Sequence, residues 1–272
     1  KVRPVVHYTL NLPETVPYVG AAALQSRGLD GTGTTIAVID SGIDYTHRNL
    51  GGPGTLEAYA EAAGANANDP KAELPNALFP NGKVVGGFDF VGDKWSGGAG
   101  SPPRTEDPNP IDYWFHGTHV ADIAAGASLD GTHKGMAPGA KLLAVKACAS
   151  VSGSCNGVAL LKSMDFSLDP NGDGELDDAA DVINLSLGSD YGQPEDDLSF
   201  AVGNAVDLGV VVVASAGNGG NVATVVGSPS TEPGAISVAQ TQVPSARAGV
   251  VTVTAPASIA RTITNLGLAS WA

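Results

Sequence analysis

Three short segments of this chain carry residues able to do acid–base chemistry. Ile36-Ala37-Val38-Ile39-Asp40-Ser41-Gly42 brings an acid out at the end of an apolar run. His116-Gly117-Thr118-His119-Val120 brings a base to the expected start of a helix, and Ser215-Ala216-Gly217-Asn218-Gly219 brings an amide out after a second apolar run. Asp40 is of the type that accepts an imidazole Nδ1–H, fixing the tautomer and stabilising the imidazolium. An imidazole titrates near pH 6.5 when unperturbed, which suits His116 to general-base work at neutral pH. An amide beside glycines, such as Asn218, presents an NH2 donor to a developing oxyanion. Acid, base and oxyanion donor are three of the parts that acyl transfer to a serine requires. Taken singly, each has a plainer reading: a strand-end acid often serves a turn, and Asn often takes a left-handed turn conformation.

The neighbours of these residues narrow the chemistry. Gly117 leaves room for a closely packed neighbour, and Asp44 reads as a turn or packing residue. Ser41 lies in an Asp-Ser-Gly string, but the glycine that a nucleophile segment wants before the acid is replaced by Ile39. His119 lies about one helical turn beyond His116, yet a metalloprotease helix needs a glutamate next to its first histidine, and Gly117 stands there. The plainer reading of such a pair is core packing for one histidine and no role for the other.

A separate cation site is suggested by Asp169-Pro170-Asn171-Gly172-Asp173-Gly174-Glu175-Leu176-Asp177-Asp178. Oxygen-bearing side chains at Asp169, Asn171, Asp173, Glu175 and Asp177 alternate, with glycine sixth, as in a calcium-binding loop. The bidentate acid at the twelfth place is missing, because Ala180 stands there. The readings are a weaker calcium site or a solvated acidic turn. The two cysteines, Cys148 and Cys155, are close enough to close a short loop. In an oxidising compartment they are expected as a disulfide, and in a reducing one as two thiols.

These groups have to be positioned by a scaffold, and the rest of the chain supplies one. Its 272 residues can bury a full core. The net charge of −14 argues against nucleic-acid binding. No apolar run reaches the ~18 residues of a membrane span, and Lys1–Leu10 lack the pattern of a signal peptide. Short β-branched runs alternate with helical stretches, which predicts an α/β fold: a three-layer parallel sheet with helices on both faces. Strands are expected at Thr35–Asp40, Lys83–Phe90, Lys141–Lys146, Asp181–Leu187, Val210–Ser215 and Ile236–Ala239, and helices at His116–Ala127, Asn156–Ser167 and Leu198–Leu208. Gly209 is expected to stop the last helix. Residues 51–112, rich in Gly, Pro, Asn and Ala, read as a surface insertion around one strand. A break at Pro244-Ser245, before Val250-Val251-Thr252-Val253-Thr254, divides the chain into 1–242 and a β-rich unit at 243–272.

The strings Val38–Asp44, His116–Val120 and Ser215–Gly219, in this order, resemble the N-terminal two-thirds of the catalytic domain of subtilisin-like serine proteases, over residues 15–240. The resemblance implies a secreted or cell-surface serine endopeptidase in which Asp40, His116 and Asn218 act in catalysis. It also implies that Ser186-Leu187-Gly188 lies along the cleft and binds substrate backbone as an added strand. The loop from Cys148 to Cys155 would then wall the outer substrate pockets. Some relatives carry calcium in a loop placed like Asp169–Asp178, whereas another family calcium site uses an acid where this chain has Asn49. By position, 243–272 would begin an inserted protease-associated β-domain.

The family nucleophile sits in a Gly-Thr-Ser-Met-Ala segment, and no such segment occurs in these 272 residues. The chain is therefore expected to be truncated before the nucleophile helix and inactive by itself. It would be a fragment, one half of a split protease completed by a C-terminal segment, or a non-catalytic peptide-binding pseudoprotease. A polypeptide substrate and a propeptide are the other expected partners. Two departures from the family pattern flank the base: Phe115, where a small residue is usual, is expected to narrow the cleft, and Asp122 stands where glycine is common.

Overall fold

A computed structural model of the chain describes residues 12–65, 69–241, 249–253, 255–256, 258 and 261–266. The chain divides into two compact units, Lys1–Ala239 and Gln240–Ala272. The first is built on six strands: β1 (Thr35–Asp40), β2 (Val84–Asp89), β3 (Lys141–Lys146), β4 (Val182–Leu185), β5 (Val211–Ser215) and β6 (Ile236–Val238). They form one sheet in the order β2-β3-β1-β4-β5-β6, with every pairing parallel. β1 therefore sits between β3 and β4, where the winding changes direction. Ligands bind at such a switch point, beyond the carboxyl ends of the strands.

Alternation along β1 explains the layers. Ala37 and Ile39 join a core with Leu160 and Met164 of helix α5 (Gly157–Leu168) and Val202 and Ala205 of helix α6 (Asp197–Asp207). Ile36 and Val38 face the opposite core, with Ala121 and Ala125 of helix α4 (His116–Ala125) and Ala62 of helix α3 (Leu56–Ala63). Two short N-terminal helices, α1 (Leu12–Tyr18) and α2 (Ala21–Gln25), precede β1. Ile36, Val38 and Ile39 each contribute roughly 1.5–3 kcal/mol by burial. That anchors the strand whose last residue is a desolvated carboxylate.

The expected three-layer α/β sheet is present, with differences at element ends. β4 stops at Leu185 rather than Leu187, because Ser189 leaves the ladder to exchange hydrogen bonds with Ser228. α6 starts at Asp197, since Asp196 caps it by accepting the Ser199 amide at 2.9 Å. α4 ends at Ala125 before Gly126. Gly209 follows α6 in the left-handed region, φ 93°, as expected of a helix stop. Within the stretch 51–112, read as irregular around a strand, Thr55 caps α3 through the Ala58 amide. α1 contains Pro17, which hides it from a periodicity reading.

The second unit contains an antiparallel pair, β7 (Gly249–Val253) and β8 (Arg261–Leu266). The expected break at Pro244-Ser245 lies outside the described residues, as does Lys1–Leu10.

Candidate active site

Asp40 closes β1 and is 2% exposed. Its Oδ1 accepts the Ser41 amide at 2.7 Å, and the carboxylate faces His116 Nδ1 at 2.8 Å (Oδ1) and 2.9 Å (Oδ2). His116 opens α4 with about half of its side chain exposed. The hydrogen bond with Asp40 raises the His116 pKa above the ordinary imidazole value, burial works against the rise, and the charges of Asp40 and Asp112 reinforce it.

This approach depends on Gly117. A Cβ there would lie 2.2 Å from the Gly42 carbonyl oxygen and 3.0 Å from Asp40 Cβ. The room the sequence predicted at Gly117 is what lets the helix start press against the strand end.

Ser41 is no nucleophile. It is buried, its hydroxyl donates to Asp112 Oδ1 at 2.9 Å, and its oxygen accepts the Gly117 amide at 3.0 Å. Asp44 holds a turn through Thr46, as expected. His119 is exposed on α4 rather than packed in the core.

Asp40 and His116 open into a cavity of about 610 Å³. Ser186, Leu187 and Gly188 line it at the end of β4, and Cys148, Gly153, Ser154 and Cys155 line it as well. Cys148 and Cys155 are joined in a disulfide. Gly188 is demanded by the protein itself, since a Cβ there would come within 2.7 Å of the Ser228 carbonyl oxygen. Apolar lining comes from Leu160, Leu187, Leu198 and Trp114. Trp114 stacks so tightly on Gly153 that a Cβ on this glycine, already at φ 65°, would sit 2.7 Å from the indole nitrogen.

Phe115 does not narrow the cavity. It turns away in the left-handed region (φ 66°), and its ring meets Tyr59 at 5.8 Å between centroids. Trp114, one residue earlier, is the aromatic wall that sequence reasoning missed. Asn218 is exposed on the loop after β5 and does not line the cavity. The structure thus gathers the acid, the base, the β4 end and the disulfide, and leaves the amide on the neighbouring loop.

The acidic loop is folded on itself. Asp169 accepts the amides of Gly172 (2.7 Å), Asp173 (3.1 Å) and Gly174 (2.8 Å), Asn171 Nδ2 donates to Asp173 at 3.0 Å, and Asp178 accepts the Asn171 amide at 3.1 Å. Asp173 accepts the Glu175 amide, and Glu175 and Asp177 are exposed. Among the described residues, no three His, Cys, Asp or Glu side chains come together so as to hold a metal ion. Asn49 serves another purpose, donating to Asp122 at 3.1 Å, while Asp122 pairs with His133 at 2.9 Å.

The parallel sheet carries its acid at the switch point and its base at the start of the helix packed on it, and the sequence profile of the subtilase family matches residues 31–267. The chain belongs to that family. It is 32% identical over 234 residues to the minor extracellular protease Vpr of Bacillus subtilis, a stretch covering 86% of this chain and 23% of that protein. Identity to subtilisin E of the same species is 31% over 234 residues (85% of this chain, 47% of that one). It is 29% to the major intracellular serine protease of B. subtilis over 210 residues (77% and 50%). The chain thus spans half or less of the length of these relatives.

Proposed function

We propose that this chain carries the acid–base half of a secreted serine endopeptidase, whose nucleophilic serine comes from outside these 272 residues. The observation that carries the reading is the contact of 2.8 Å between His116 Nδ1 and Asp40, made beside the cavity lined by Ser186, Leu187 and Gly188. With Nδ1–H held by Asp40, the outer nitrogen Nε2 is free to accept a proton. It takes the proton of the serine hydroxyl as the serine oxygen bonds to the substrate carbonyl carbon. It then returns that proton to the leaving amine, and a water repeats the cycle to free the acyl group. Asn218 is assigned the oxyanion that forms in both halves; it stands on the loop after β5, outside the cavity lining, and has to turn toward it. An extended peptide would pair with the backbone at Ser186–Gly188.

The relatives' names cover both sides of the membrane, so the Cys148–Cys155 disulfide is what supports secretion. Among the described residues, no helix is long and apolar enough to cross a membrane. Residues 243–272 are read as the start of a protease-associated β-domain, supported by the antiparallel β7–β8 pair. Calcium at Asp169, Asn171, Asp173, Glu175 and Asp177 belongs to the same proposal. It requires the loop to exchange internal hydrogen bonds for metal contacts.

The test uses a fluorophosphonate serine probe. The purified chain is expected to remain unlabelled. Adding the downstream polypeptide that carries a Gly-Thr-Ser-Met segment should produce labelling on that polypeptide, abolished by His116→Ala in this chain. Labelling on this chain alone, or labelling of the complex indifferent to His116, refutes the assignment. A non-catalytic peptide-binding protein would keep the cleft but gain nothing from the His116–Asp40 pair.

A further inference from the structure

The helix that carries His116 begins without a cap of its own. Phe115 occupies the N-cap position in the left-handed conformation, and its side chain makes no capping hydrogen bond. The first amides of a helix have no partner inside it and must find one elsewhere. Here they find two groups remote in sequence or outside the helix: Gly117 N–H donates to Ser41 Oγ at 3.0 Å, and Thr118 N–H donates to Asp112 Oδ2 at 2.9 Å.

Asp112 is fully buried and gathers far more than that one amide. Its Oδ1 accepts the amides of Trp114 and Phe115, both at 2.9 Å, and the Ser41 hydroxyl at 2.9 Å. Its Oδ2 also accepts the Thr118 hydroxyl at 2.7 Å. All of these side-chain partners are donors, which is the environment an ionised carboxylate needs and a protonated one does not. On balance the Asp112 pKa is raised: burial pushes it up, and the hydrogen bonds from Thr118, Phe115 and Ser41 offset only part of the rise. The acid itself is one peptide bond away from this knot, since Ser41 follows Asp40 at the end of β1.

We propose that Asp112 is a positioning residue for the base: its buried carboxylate replaces the missing cap of α4 and, through Ser41, ties the first turn of that helix to the strand end that bears Asp40. The chain of contacts runs from Asp112 to Ser41 Oγ to the Gly117 amide, and Gly117 packs directly on Asp40. It fixes both partners of the His116–Asp40 hydrogen bond from one point. The left-handed turn at Phe115 also becomes intelligible. A non-glycine residue is held there because its own amide and that of Trp114 are both drawn onto the same carboxylate oxygen. The inference rests on His116 being the base, but its test needs no turnover.

The experiment compares Asp112→Asn with the parent chain by NMR, following the His116 imidazole across pH and the downfield proton on Nδ1. Asn keeps the size of the side chain and one acceptor oxygen, but sets an NH2 against the Thr118 amide and removes a charge near His116. The charged groups that face His116 are Asp40 and Asp112, so Asp112→Asn removes a direct charge effect together with the cap, and the Nδ1 proton and the uncharged change Ser41→Ala separate the two. In Asp112→Asn the imidazole should titrate lower than in the parent, and the downfield proton should broaden or vanish. Ser41→Ala, which cuts the tie to Gly117 and leaves the backbone contacts of Asp112, should move both signals in the same direction by a smaller step.

An Asp112 without a positioning role would lower the melting temperature and shift the titration by its charge alone, leaving the downfield Nδ1 proton of the folded protein and the His116 titration in Ser41→Ala unmoved, and that result overturns the proposal. If Asp112→Asn does not fold, Ser41→Ala decides: an unchanged His116 titration there overturns it equally. The serine-probe experiment can fail while this one succeeds, and the reverse, so the two readings are separable.

Discussion

Lys146→Met should cost this protein more than any surface change, and the cost can be worked from its surroundings. Lys146 ends β3 with no solvent exposure, 2.8 Å from Asp89 Oδ2, hydrogen-bonded to Asp93, and 5.3 Å from the centre of the Tyr113 ring. Ser150 adds a hydrogen bond to Asp93 at 3.0 Å. Burial pulls the lysine pKa down, but Asp89 and Asp93 outweigh it and hold the ammonium charged; the Asp89 pKa is itself raised by burial. Methionine fills the space of the lysine stem and supplies no charge. Removing one partner of a buried pair leaves an uncompensated charge and costs about 3–5 kcal/mol. In a domain of this size that corresponds to a melting temperature lowered by roughly 6–20 °C.

The loss has a pH signature. Without Lys146, which holds it down, the folded-state pKa of Asp89 rises further, so the folded state binds a proton that the unfolded chain has released, and stability falls as pH increases. The deficit should be full at pH 8 and smaller at pH 5. Thermal melts followed by circular dichroism at both pH values make the measurement. Combining Lys146→Met with Asp89→Asn and Asp93→Asn should recover most of the loss at pH 8. A drop of less than about 2 °C at pH 8, or a deficit that does not shrink on acidification, would refute the reasoning.

Gly117→Ala should cost about 1–3 kcal/mol, because its Cβ meets backbone at the Gly42 carbonyl. It should also lower the His116 pKa read by NMR; a variant as stable as the parent contradicts the contact. Asp107, which burial and Asp89 push up to about 8, keeps a proton in the folded state that the unfolded chain loses near pH 4. Stability should therefore fall from about pH 4 to pH 8 through this group, and Asp107→Asn should melt above the parent at pH 8.5 by a margin that closes toward pH 5. Calcium titrated into metal-free protein should raise the melting temperature, by up to about 2.7 kcal/mol of stabilisation at a hundredfold excess over its dissociation constant. That rise should disappear in Asp173→Ala, and no rise in the parent removes the site.

What the sequence made legible followed from apolar pattern. β1 and β3 were read to the residue because both are buried on two faces and their runs are continuous. The boundaries of β4 and α6 were missed because a cross-chain bridge at Ser189–Ser228 and a cap at Asp196 set them, and periodicity reports neither. α1 and α3 lay in Pro- and Ala-rich stretches whose helical signal is weak. At the site, the positions of Asp40 at a strand end, His116 at a helix start and Ser186 just beyond β4 were readable because the apolar runs beside them mark where those elements begin and end. Asp112 and Trp114 were not, since their roles come from side chains that meet only in the fold. A polar residue four places before His116 was the one available trace of Asp112. In the acidic loop the backbone amides engage Asp169 and Asp173, contacts that the alternation of oxygen-bearing residues does not report.

The sheet also distributes its functional residues across a gradient of local protection. β1 is covered on both faces and flanked on both edges, whereas all three residues of β6 at the end of the ladder are exposed, and β5 is intermediate. Amide hydrogens exchange through local openings whose free energy follows burial and pairing. Those of Ile36 to Ile39 should then persist longest, and those around Asn218 and Ile236 to Val238 should exchange earliest. Asp40 is thus mounted on the strand that opens last, and the amide assigned to the oxyanion on the side of the sheet that opens first. The Asp40–His116 contact is held where the sheet is most covered, and the loop that bears Asn218 stands where, among the described residues, it is least covered.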